Sequence, residues 1–327
     1  MIDVQRILVI ETLYLGDLIH TLPLIQALRA RYPAAQLDVL VRAPHVALMQ
    51  QVVGIDQVLA MDPKQHRGAR GLLALCGQLR AARYDLVLNP GASDRATLLT
   101  AFSGGRHRIG RLNRNQSKRI WPLLHDEVID RAWGAEPMYW QKLTAFQRPL
   151  QLADGVRFGL DFAAADVSAL ALPTQYLHLS PFASEDIRSL PPATVIELLT
   201  ALRQRLPRLP MVVSCGPSAR ETGRLAAIAS ALAALDIQCL SGTLSLPQLG
   251  AVIQRARLHL GPDSGPLHLA VALNTAAVGC FLFKDASAEW MPLGAAHRSF
   301  GISARHEGGL YGLPVDAIVA HLVQQLG

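Results

Sequence analysis

"GPDSGPLHLA" (Gly261–Ala270) joins a strand pattern to a helix pattern and indicates the fold type of the whole chain. The residues before it, Arg257–Leu260, alternate with the period of a strand, and Val271–Leu273 continues an apolar helix after it. A strand that enters a helix through a short Gly-containing turn is typical of a βαβ unit in a parallel sheet. The free amides at the start of such a helix form a site for anions.

The same alternation of apolar runs and helical patterns extends over both halves of the chain. In the first half, runs of strand type lie at 6–11, 36–41 and 85–90, with helical patterns at about 17–31 and 71–83. In the second half they lie at 176–180, 210–216, 237–240, 256–261 and 276–283, with helices at about 220–234, 246–255 and 314–326. The alternation is lost at 149–175, which we interpret as a linker.

These patterns predict the α/β class, with two doubly wound, Rossmann-like domains that face each other across a cleft. A chain of 327 residues is long enough for two domains that each bury a core. We expect an N-terminal domain at 1–160, a C-terminal domain at 161–313, and a final helix at 314–327 that can pack back on the N-terminal domain.

The cysteines and the N-terminus indicate a soluble, cytoplasmic protein. The first apolar run, Ile7–Ile10, is too short for a signal peptide or a membrane-spanning helix. The cysteines are far apart, have no metal-ligand spacing and are predicted to be buried thiols in a reducing compartment: Cys76, Cys215, Cys239 and Cys280.

A formal net charge of +6 is concentrated in the first half of the chain, in segments 64–70 and 106–119. Neither segment contains the aromatic residues on which single-stranded nucleic acids stack, and no nucleic-acid-binding motif is present. We therefore expect a small or lipid-bound anion as the partner, and no nucleic acid.

The segment after the first predicted strand, "ETLYLGDLIHTLP" (11–23), has only one glycine, Gly16. A dinucleotide site at this position needs a GxGxxG turn, so a nicotinamide or flavin cofactor is not expected. Asp17 comes at the start of the next helix, where two roles are open. It can cap the helix, or its carboxylate can face a ligand at the carboxyl end of the strand.

Two interpretations are also open for the motif that follows the strand at 256–261. Asp263 and Ser264 can cap a helix whose His268 faces the core, or the same residues with Gly265 can surround an anion. In the second interpretation Gly265 allows a ligand to approach the backbone closely, and His268 lies one turn further along.

Two further strand ends in the second half carry polar groups. Ser180 ends one strand, and Arg188 follows it in a loop, where it can bind phosphate or be solvated. Gly216 ends another strand, and Glu221 enters the next helix, where it can accept ribose hydroxyls or favour the helix dipole.

Together, three segments of this chain resemble glycosyltransferase family 9, the heptosyltransferases of lipopolysaccharide inner-core assembly. They are "GDLIHTLPLIQALRARYP" (16–33), "LHLSPFASEDIRSLPP" (177–192) and "GPDSGPLHLAVALNTAAVG" (261–279), and the likeness covers nearly the whole chain. The resemblance implies the glycosyltransferase B architecture, with the acceptor in the N-terminal half and the donor in the C-terminal half. It also implies inverting, metal-independent transfer of heptose from ADP-heptose to an inner-core lipopolysaccharide acceptor, with no cofactor.

The resemblance assigns a role to each candidate residue. Asp17 is the implied general base. The donor set is Ser180, Arg188 at the position of a family lysine, Gly216, Glu221, Asp263, Ser264, Gly265 and His268. Within it, Ser264 and Gly265 offer amides to the diphosphate, and Asp263 is expected to hold the loop by accepting backbone amides, since like charges repel.

The basic residues of the first half fit an acceptor that carries phosphates and acidic sugars. We expect acceptor contacts among Lys64, Arg67, Arg70, Arg106, Arg108 and Arg111, the others being solvated. Such loops also suit peripheral contact with the cytoplasmic face of the inner membrane. No Asp-x-Asp pair occurs, so no metal ligands are predicted.

The chain departs from the family pattern at two places. Asn274-Thr275-Ala276 replaces a Gly-x-Pro, but Asn274 can still adopt the left-handed cap of the preceding helix. Lys284 replaces a glycine after the last strand, where it can add a phosphate contact or narrow the nucleotide pocket. Two alternatives stay open, a transferase for another nucleotide sugar or acceptor and a non-catalytic nucleotide-sugar-binding protein. A third, nucleic-acid binding, is the one that the absence of aromatic residues from the basic segments disfavours.

Overall fold

The computed structural model describes residues 4–62, 64–91, 93–112, 119–129, 136–162, 164–282, 287–291, 296–301 and 309–327. The chain divides into two compact units, Met1–Asp161 and Phe162–Gly327. The border between them falls inside the segment where the sequence loses its alternation.

The described part of the first unit contains a parallel six-stranded sheet with helices between the strands. The strands are β1 Arg6–Glu11, β2 Gln36–Arg42, β3 Gln57–Met61, β4 Leu86–Asn89, β5 His107–Arg111 and β6 Glu127–Ile129. The helices are α1 Leu15–Ile19, α2 Leu22–Arg31, α3 Val46–Met49, α4 Gly68–Ala82, α5 Asp94–Phe102 and α6 Met138–Leu150. The strand order is β3-β2-β1-β4-β5-β6, with Val9 opposite both Val39 and Leu88.

The second unit repeats this plan over its own described residues. Its strands are β7 Leu177–Leu179, β8 Met211–Cys215, β9 Gln238–Ser241, β10 Leu258–Pro262, β11 Ala277–Phe281 and β12 His297–Gly301. Its helices are α7 Pro192–Arg205, α8 Ala219–Ala234, α9 Leu246–Arg255, α10 Gly265–Ala272, α11 Ser287–Trp290 and α12 Val315–Leu326. All pairs are parallel, in the order β12-β11-β10-β7-β8-β9.

Both sheets have the strand order of a doubly wound fold, which confirms the predicted class of two Rossmann-like domains. In such a sheet the strand order reverses next to the first strand, and the helices on either side of that point leave a crevice at the carboxyl ends. The reversal lies between β1 and β4 in the first unit and between β7 and β10 in the second.

Burial explains why the inner strands are continuous apolar runs. Ile7–Ile10 of β1 are fully buried, as expected for a parallel strand that is covered on both faces. In the second unit the apolar face of α12 joins the core through Ile318, Val319 and Leu322, and it packs against α7. The final helix therefore contributes to the core of the second unit.

The predicted helix at about 17–31 is two helices in the structure, α1 and α2, separated at His20-Thr21. Pro23 explains the break. It has no N–H to donate to Ile19, and its ring would clash with that carbonyl in a continuous helix.

Arg29 at the end of α2 and Arg203 at the end of α7 occupy equivalent places in the two units. They lie in the related segments "ALRARYP" (27–33) and "ALRQRLP" (201–207). Each guanidinium donates to backbone carbonyls of the turn that follows its helix, including those of Ala35 and Leu209 respectively.

Three of the four cysteines are buried, as predicted. Cys76, Cys215 and Cys280 are buried free thiols, but Cys239 is exposed, which corrects the prediction for that residue. Cys239 lies on β9, an edge strand of its sheet, where one face is less covered.

No helix of the described residues is long and apolar enough to cross a membrane.

Candidate functional site

In the first unit, Asp17 lies in the helix that directly follows β1, at the point where the strand order reverses. The N-cap of α1 is Tyr14, and Asp17 is the third residue of the helix. Asp17 is therefore not the N-cap residue of this helix, and it lies in its first turn. The residue thus lies beyond the carboxyl end of β1, at the edge of the sheet where doubly wound folds bind ligands.

A buried ion pair holds the backbone of this helix in place. Lys142 of α6 places its Nζ atom 2.8 Å from Oε2 of Glu11, the last residue of β1, and both side chains are almost fully buried. The same Nζ donates to the carbonyl of Asp17 at 2.7 Å and to Oγ1 of Thr21 at 3.0 Å. Lys142 thus fixes the backbone that carries Asp17.

Gly91, which follows β4, is part of the same arrangement. A Cβ atom at this position would lie 2.3 Å from Oε1 of Glu11, so a larger residue would displace the carboxylate. Sequence reasoning missed Glu11, Lys142 and Gly91, because only the folded sheet brings them together.

The six basic residues predicted for acceptor binding are divided between the two edges of the first sheet. Lys64, Arg67 and Arg70 are exposed and follow β3, at the carboxyl edge that also carries Asp17. Arg106 and Arg108 lie at the amino edge. There Arg106 pairs with Asp85 at 3.2 Å, and Arg108 pairs with Asp126 at 2.8 Å.

The structure therefore does not bring Arg106 and Arg108 to the edge of Asp17, because residues that begin parallel strands lie opposite those that end them. Arg111 ends β5 at the carboxyl edge, but it is only 1% exposed and donates to Oε1 of Gln141 at 3.2 Å. Its burial distinguishes it from the surface cations that the sequence pattern predicted.

Two arginines that the sequence analysis did not select also lie at the carboxyl edge. Arg42 ends β2, and its guanidinium lies 5.8 Å from the centre of the Tyr14 ring. Arg95 in the first turn of α5 donates to the carbonyl of His66 at 3.2 Å. The signal for Arg42 was its position at the end of a predicted strand, and that for Arg95 was its position in the helix that follows β4.

In the second unit, Asp263 organises the residues around the start of α10. Its Oδ1 atom lies 3.3 Å from Nε2 of His268, and its Oδ2 atom lies 3.4 Å from Nη1 of Arg188. Arg188 also donates to the carbonyl of Asp263 at 3.3 Å and to Oγ of Ser184 at 3.1 Å. Asp263 thus holds two side chains in place, where backbone amides were expected as its partners.

The electrostatic surroundings keep the Asp263 carboxyl ionised. Burial alone raises its pKa, but the hydrogen bond and charge of His268, together with Arg188, outweigh burial and hold the pKa below its ordinary value. His268 is 4% exposed, and its ring centre lies 5.7 Å from that of Trp290. The histidine is buried, as one interpretation had it, but it is bound to Asp263 at the same time.

Ser264 is the N-cap of α10 and its hydroxyl makes no capping hydrogen bond. Within the part of the chain that the structure describes, its buried Oγ atom has no hydrogen-bond partner. A buried hydroxyl without a partner is costly, and the first amides of a helix also lack partners within it. Ser264 and the adjacent start of α10 at Gly265 therefore combine groups that can donate to an anion.

Ser180 and Glu221 complete the set at the neighbouring strand ends. Ser180 follows β7, is 4% exposed, and places its Oγ atom 3.0 Å from Oγ of Ser214 on β8. Glu221 reaches back from α8, so that its Oε2 atom accepts the amide of Gly216 at 2.8 Å. A Cβ at Gly216 would lie 2.8 Å from that oxygen, so the glycine and the glutamate form one compact turn.

The two departures from the family pattern have different outcomes. Asn274 has φ of +56°, and the amide of Thr275 donates to the carbonyl of Ala270 at 2.9 Å. This is the left-handed cap that was predicted for Asn274. Lys284 lies outside the described residues.

No group of three or more His, Cys, Asp or Glu side chains in the described ranges is arranged to hold a metal ion.

Comparisons with known proteins agree with this fold and these motifs. Lipopolysaccharide heptosyltransferase 3 of Escherichia coli strain K12 is 26% identical over 287 residues, which cover 83% of this chain and 81% of that protein. The solved structure of the E. coli ADP-heptose LPS heptosyltransferase II is similar with a TM-score of 0.79 at 22% identity, covering 98% of each chain. The structure of the E. coli heptosyltransferase WaaC with ADP gives a TM-score of 0.74 at 17% identity, covering 98% of this chain and 99% of that one.

The model of "Glycosyltransferase family 9 (heptosyltransferase)" matches residues 72–307, which are most of the chain and span parts of both units. The chain is therefore a glycosyltransferase and belongs to glycosyltransferase family 9, the heptosyltransferase family.

Proposed function

We propose that this protein transfers heptose from ADP-heptose to an inner-core lipopolysaccharide acceptor, by an inverting and metal-independent displacement. The names of its relatives support the transferred group and the acceptor, and the solved relative with ADP supports the nucleotide. The observation that carries the proposal is the cluster in which Asp263 orients Arg188 and His268 beside the start of α10.

The reaction is a single displacement at the anomeric carbon. Asp17 accepts the proton of the acceptor hydroxyl, and the oxygen forms a bond to the anomeric carbon. The bond from that carbon to the diphosphate oxygen breaks on the opposite face, and ADP leaves with the electron pair. The configuration at the anomeric carbon is therefore inverted.

Protein groups supply the positive potential that the leaving diphosphate needs. The guanidinium of Arg188 can donate two parallel hydrogen bonds to a phosphate, and Ser264 and Gly265 offer amides at the start of α10. His268 lies one turn further along the same helix and is held by Asp263. Because these donors are already in place, a metal ion is not required to neutralise the leaving group.

Lys64, Arg67 and Arg70 are the basic residues that we assign to the acceptor. They are exposed at the carboxyl edge of the first sheet, so they can contact phosphates or acidic sugars. We place peripheral contact with the cytoplasmic face of the inner membrane at the same basic surface.

The test of the base is Asp17→Asn, assayed with ADP-heptose and an inner-core acceptor. We expect kcat to fall by about 10²- to 10⁴-fold with ADP binding unchanged. Asp154→Asn, at an exposed aspartate of the same unit, is the matched control and keeps the full rate. Near-normal transfer by folded Asp17→Asn protein would show that another group takes the proton.

The donor and the mechanism are tested on the unaltered protein. ADP-heptose at 100 times its Kd should raise the free energy of unfolding by about 2.7 kcal/mol, and other nucleotide sugars at the same concentration should raise it less. NMR of the product should show the inverted anomeric configuration, and EDTA should leave the rate unchanged. Retention of configuration, or loss of activity in EDTA, would contradict the corresponding part of the proposal.

A further inference from the structure

A continuous chain of buried polar side chains crosses the second sheet and ends at Ser180. Nδ1 of His259 on β10 lies 2.9 Å from Nδ1 of His178 on β7. Nε2 of His178 lies 2.9 Å from Oγ of Ser214 on β8, and that oxygen lies 3.0 Å from Oγ of Ser180. Each of the four residues is at most 4% exposed.

The strand register explains how these side chains meet. His178 is directly opposite His259 in the β7–β10 pair. Side chains two residues apart on a strand share a face, so Ser180 lies on the same side of the sheet as His178. The two histidines thus lie within the sheet, and Ser214 and Ser180, which come directly after the Val213–Leu179 pair, lie side by side at its carboxyl edge.

Both histidines are neutral. Burial lowers the pKa of His178 to about 3 and lowers that of His259 well below its ordinary value. A neutral imidazole has one N–H and one bare nitrogen. The contact between the two Nδ1 atoms therefore has one donor and one acceptor, and only two arrangements of protons are compatible with it.

The arrangements differ in what they leave at Nε2 of His259. Within the described residues this atom has no hydrogen-bond partner, and it packs against Gly261, where a Cβ would lie 3.0 Å away. If His178 donates to His259, a buried N–H is left there without an acceptor, and buried N–H groups without partners are rare and costly. If His259 donates, only a bare nitrogen faces Gly261.

We propose that the hydrogen bonds run from His259 to His178, from His178 to Ser214 and from Ser214 to Ser180, so that the Ser180 hydroxyl donates to the diphosphate of the bound nucleotide sugar. The inference rests on the proposed function, because the diphosphate of the donor is the group that accepts the last of these hydrogen bonds. His259, His178 and Ser214 are positioning residues, since they act on the ligand through Ser180.

The direction matters because a phosphate oxygen only accepts hydrogen bonds. In the proposed direction Ser214 accepts a hydrogen bond from His178, and Ser180 accepts one from Ser214. The hydroxyl hydrogen of Ser180 is then free to point toward the ligand. In the reverse direction Ser180 would donate to Ser214 and would present only lone pairs to the anion, which repel it.

The first test needs no ligand and no activity. NMR of ¹⁵N-histidine-labelled protein distinguishes Nδ1–H from Nε2–H, with His178→Asn and His259→Asn used for assignment. We expect His259 to carry its proton on Nδ1, His178 to carry its proton on Nε2, and a scalar coupling between the two Nδ1 atoms. Protons on Nδ1 of His178 and Nε2 of His259 would overturn the proposed direction.

The second test is calorimetric titration with ADP of Ser180→Ala, Ser214→Ala and the double variant. Loss of one hydrogen bond to a charged group should raise Kd by about tenfold in each. If Ser214 acts only through Ser180, the double variant should also lie near tenfold, well short of a hundredfold. Ser214→Thr, which keeps the hydroxyl, should restore binding, and Ser245→Ala, in the cap of α9, should leave it unchanged.

The outcomes separate this inference from the proposed function. An unchanged Kd in Ser214→Ala, or a hundredfold effect in the double variant, would overturn the positioning role while ADP binding to the unaltered protein still supports the proposed function. If the unaltered protein does not bind ADP, the proposed function and the phosphate role of Ser180 both fail.

Discussion

The Nζ atom of Lys142 lies 2.8 Å from the Oε2 atom of Glu11, and neither side chain is more than 2% exposed. The two residues are 131 positions apart in the chain, on α6 and at the end of β1. A buried charge that loses its counter-charge destabilises the fold. Because Lys142 also donates to the carbonyl of Asp17, the pair affects both the stability of the first unit and the position of Asp17.

We predict that Lys142→Met lowers the free energy of unfolding by about 3–5 kcal/mol, because it leaves the Glu11 carboxylate buried without a counter-charge. It should also reduce transfer, since Lys142 holds the Asp17 carbonyl. The double variant with Glu11→Gln should be less destabilised than the sum of the single variants, by about 1 kcal/mol or more. Denaturant titrations measure all three.

The control for this prediction is Arg108→Met, at the partly exposed pair with Asp126. Its cost should be well below that of Lys142→Met, because solvent reaches both side chains of the Arg108–Asp126 pair and screens the charge that is left. Strict additivity of Glu11→Gln and Lys142→Met would contradict the coupling that the distance between them implies.

Ser264→Ala should separate binding from stability. The Ser264 hydroxyl makes no cap bond and is buried without a partner among the described residues, so its loss should not lower the free energy of unfolding, while the Kd for ADP rises severalfold. Ser245→Ala is the reverse case, because Ser245 caps α9 in a complete capping box. It should cost about 1 kcal/mol and leave ADP binding unchanged. Equal effects of both variants on ADP binding would refute this assignment.

The parts of the fold that the sequence predicted well are those that local patterns determine. The inner strands β1, β2 and β10 are buried on both faces, so they stand out as apolar runs. β3, β5, β6 and β12 were not predicted, because these strands are interrupted by polar or charged residues such as Gln57, His107, Glu127 and His297. The break between α1 and α2 was present in the sequence as Pro23 and was overlooked.

The residues of the candidate site that could be predicted are those that follow the end of a strand. Asp17, Ser180 and Asp263 each follow a strand at the carboxyl edge, which is why motif and topology agree on them. The partners that orient them were not predictable, since Lys142 and Ser214 come from distant segments. His178 and His259 did leave a signal, because each is a polar residue inside a buried apolar run.

Arg188 should contribute to ADP binding through its geometry as well as its charge. Arg188→Lys keeps the charge but cannot reach Ser184 and Asp263 at once, so we expect a Kd for ADP a few times higher. Arg188→Met removes the charge as well, and the Kd should rise by about 10- to 100-fold. Calorimetric titration measures both against Arg205→Met, at the exposed end of α7. Binding by Arg188→Met that equals this control would exclude a phosphate contact.

The buried histidines should make the protein less stable in acid. The pKa of His178 is lowered to about 3 by burial, and that of His259 is lowered well below 6.5, while both groups titrate near 6.5 in the unfolded chain. Between these values the unfolded chain binds more protons than the folded one, so stability is fully present above about pH 6.5 and is lost as the pH falls.

Each of these histidines should contribute a slope that approaches about 1.4 kcal/mol per pH unit as the pH falls below about 6. Denaturant titrations of His259→Asn should give a slope that is smaller by about this amount, because one of the two buried imidazoles is gone. Ser245→Ala, which removes no titratable group, should keep the slope of the unaltered protein. An identical slope in His259→Asn would mean that His259 is already protonated, or readily becomes so, in the folded chain, which would also remove the basis for its single Nδ1–H bond to His178.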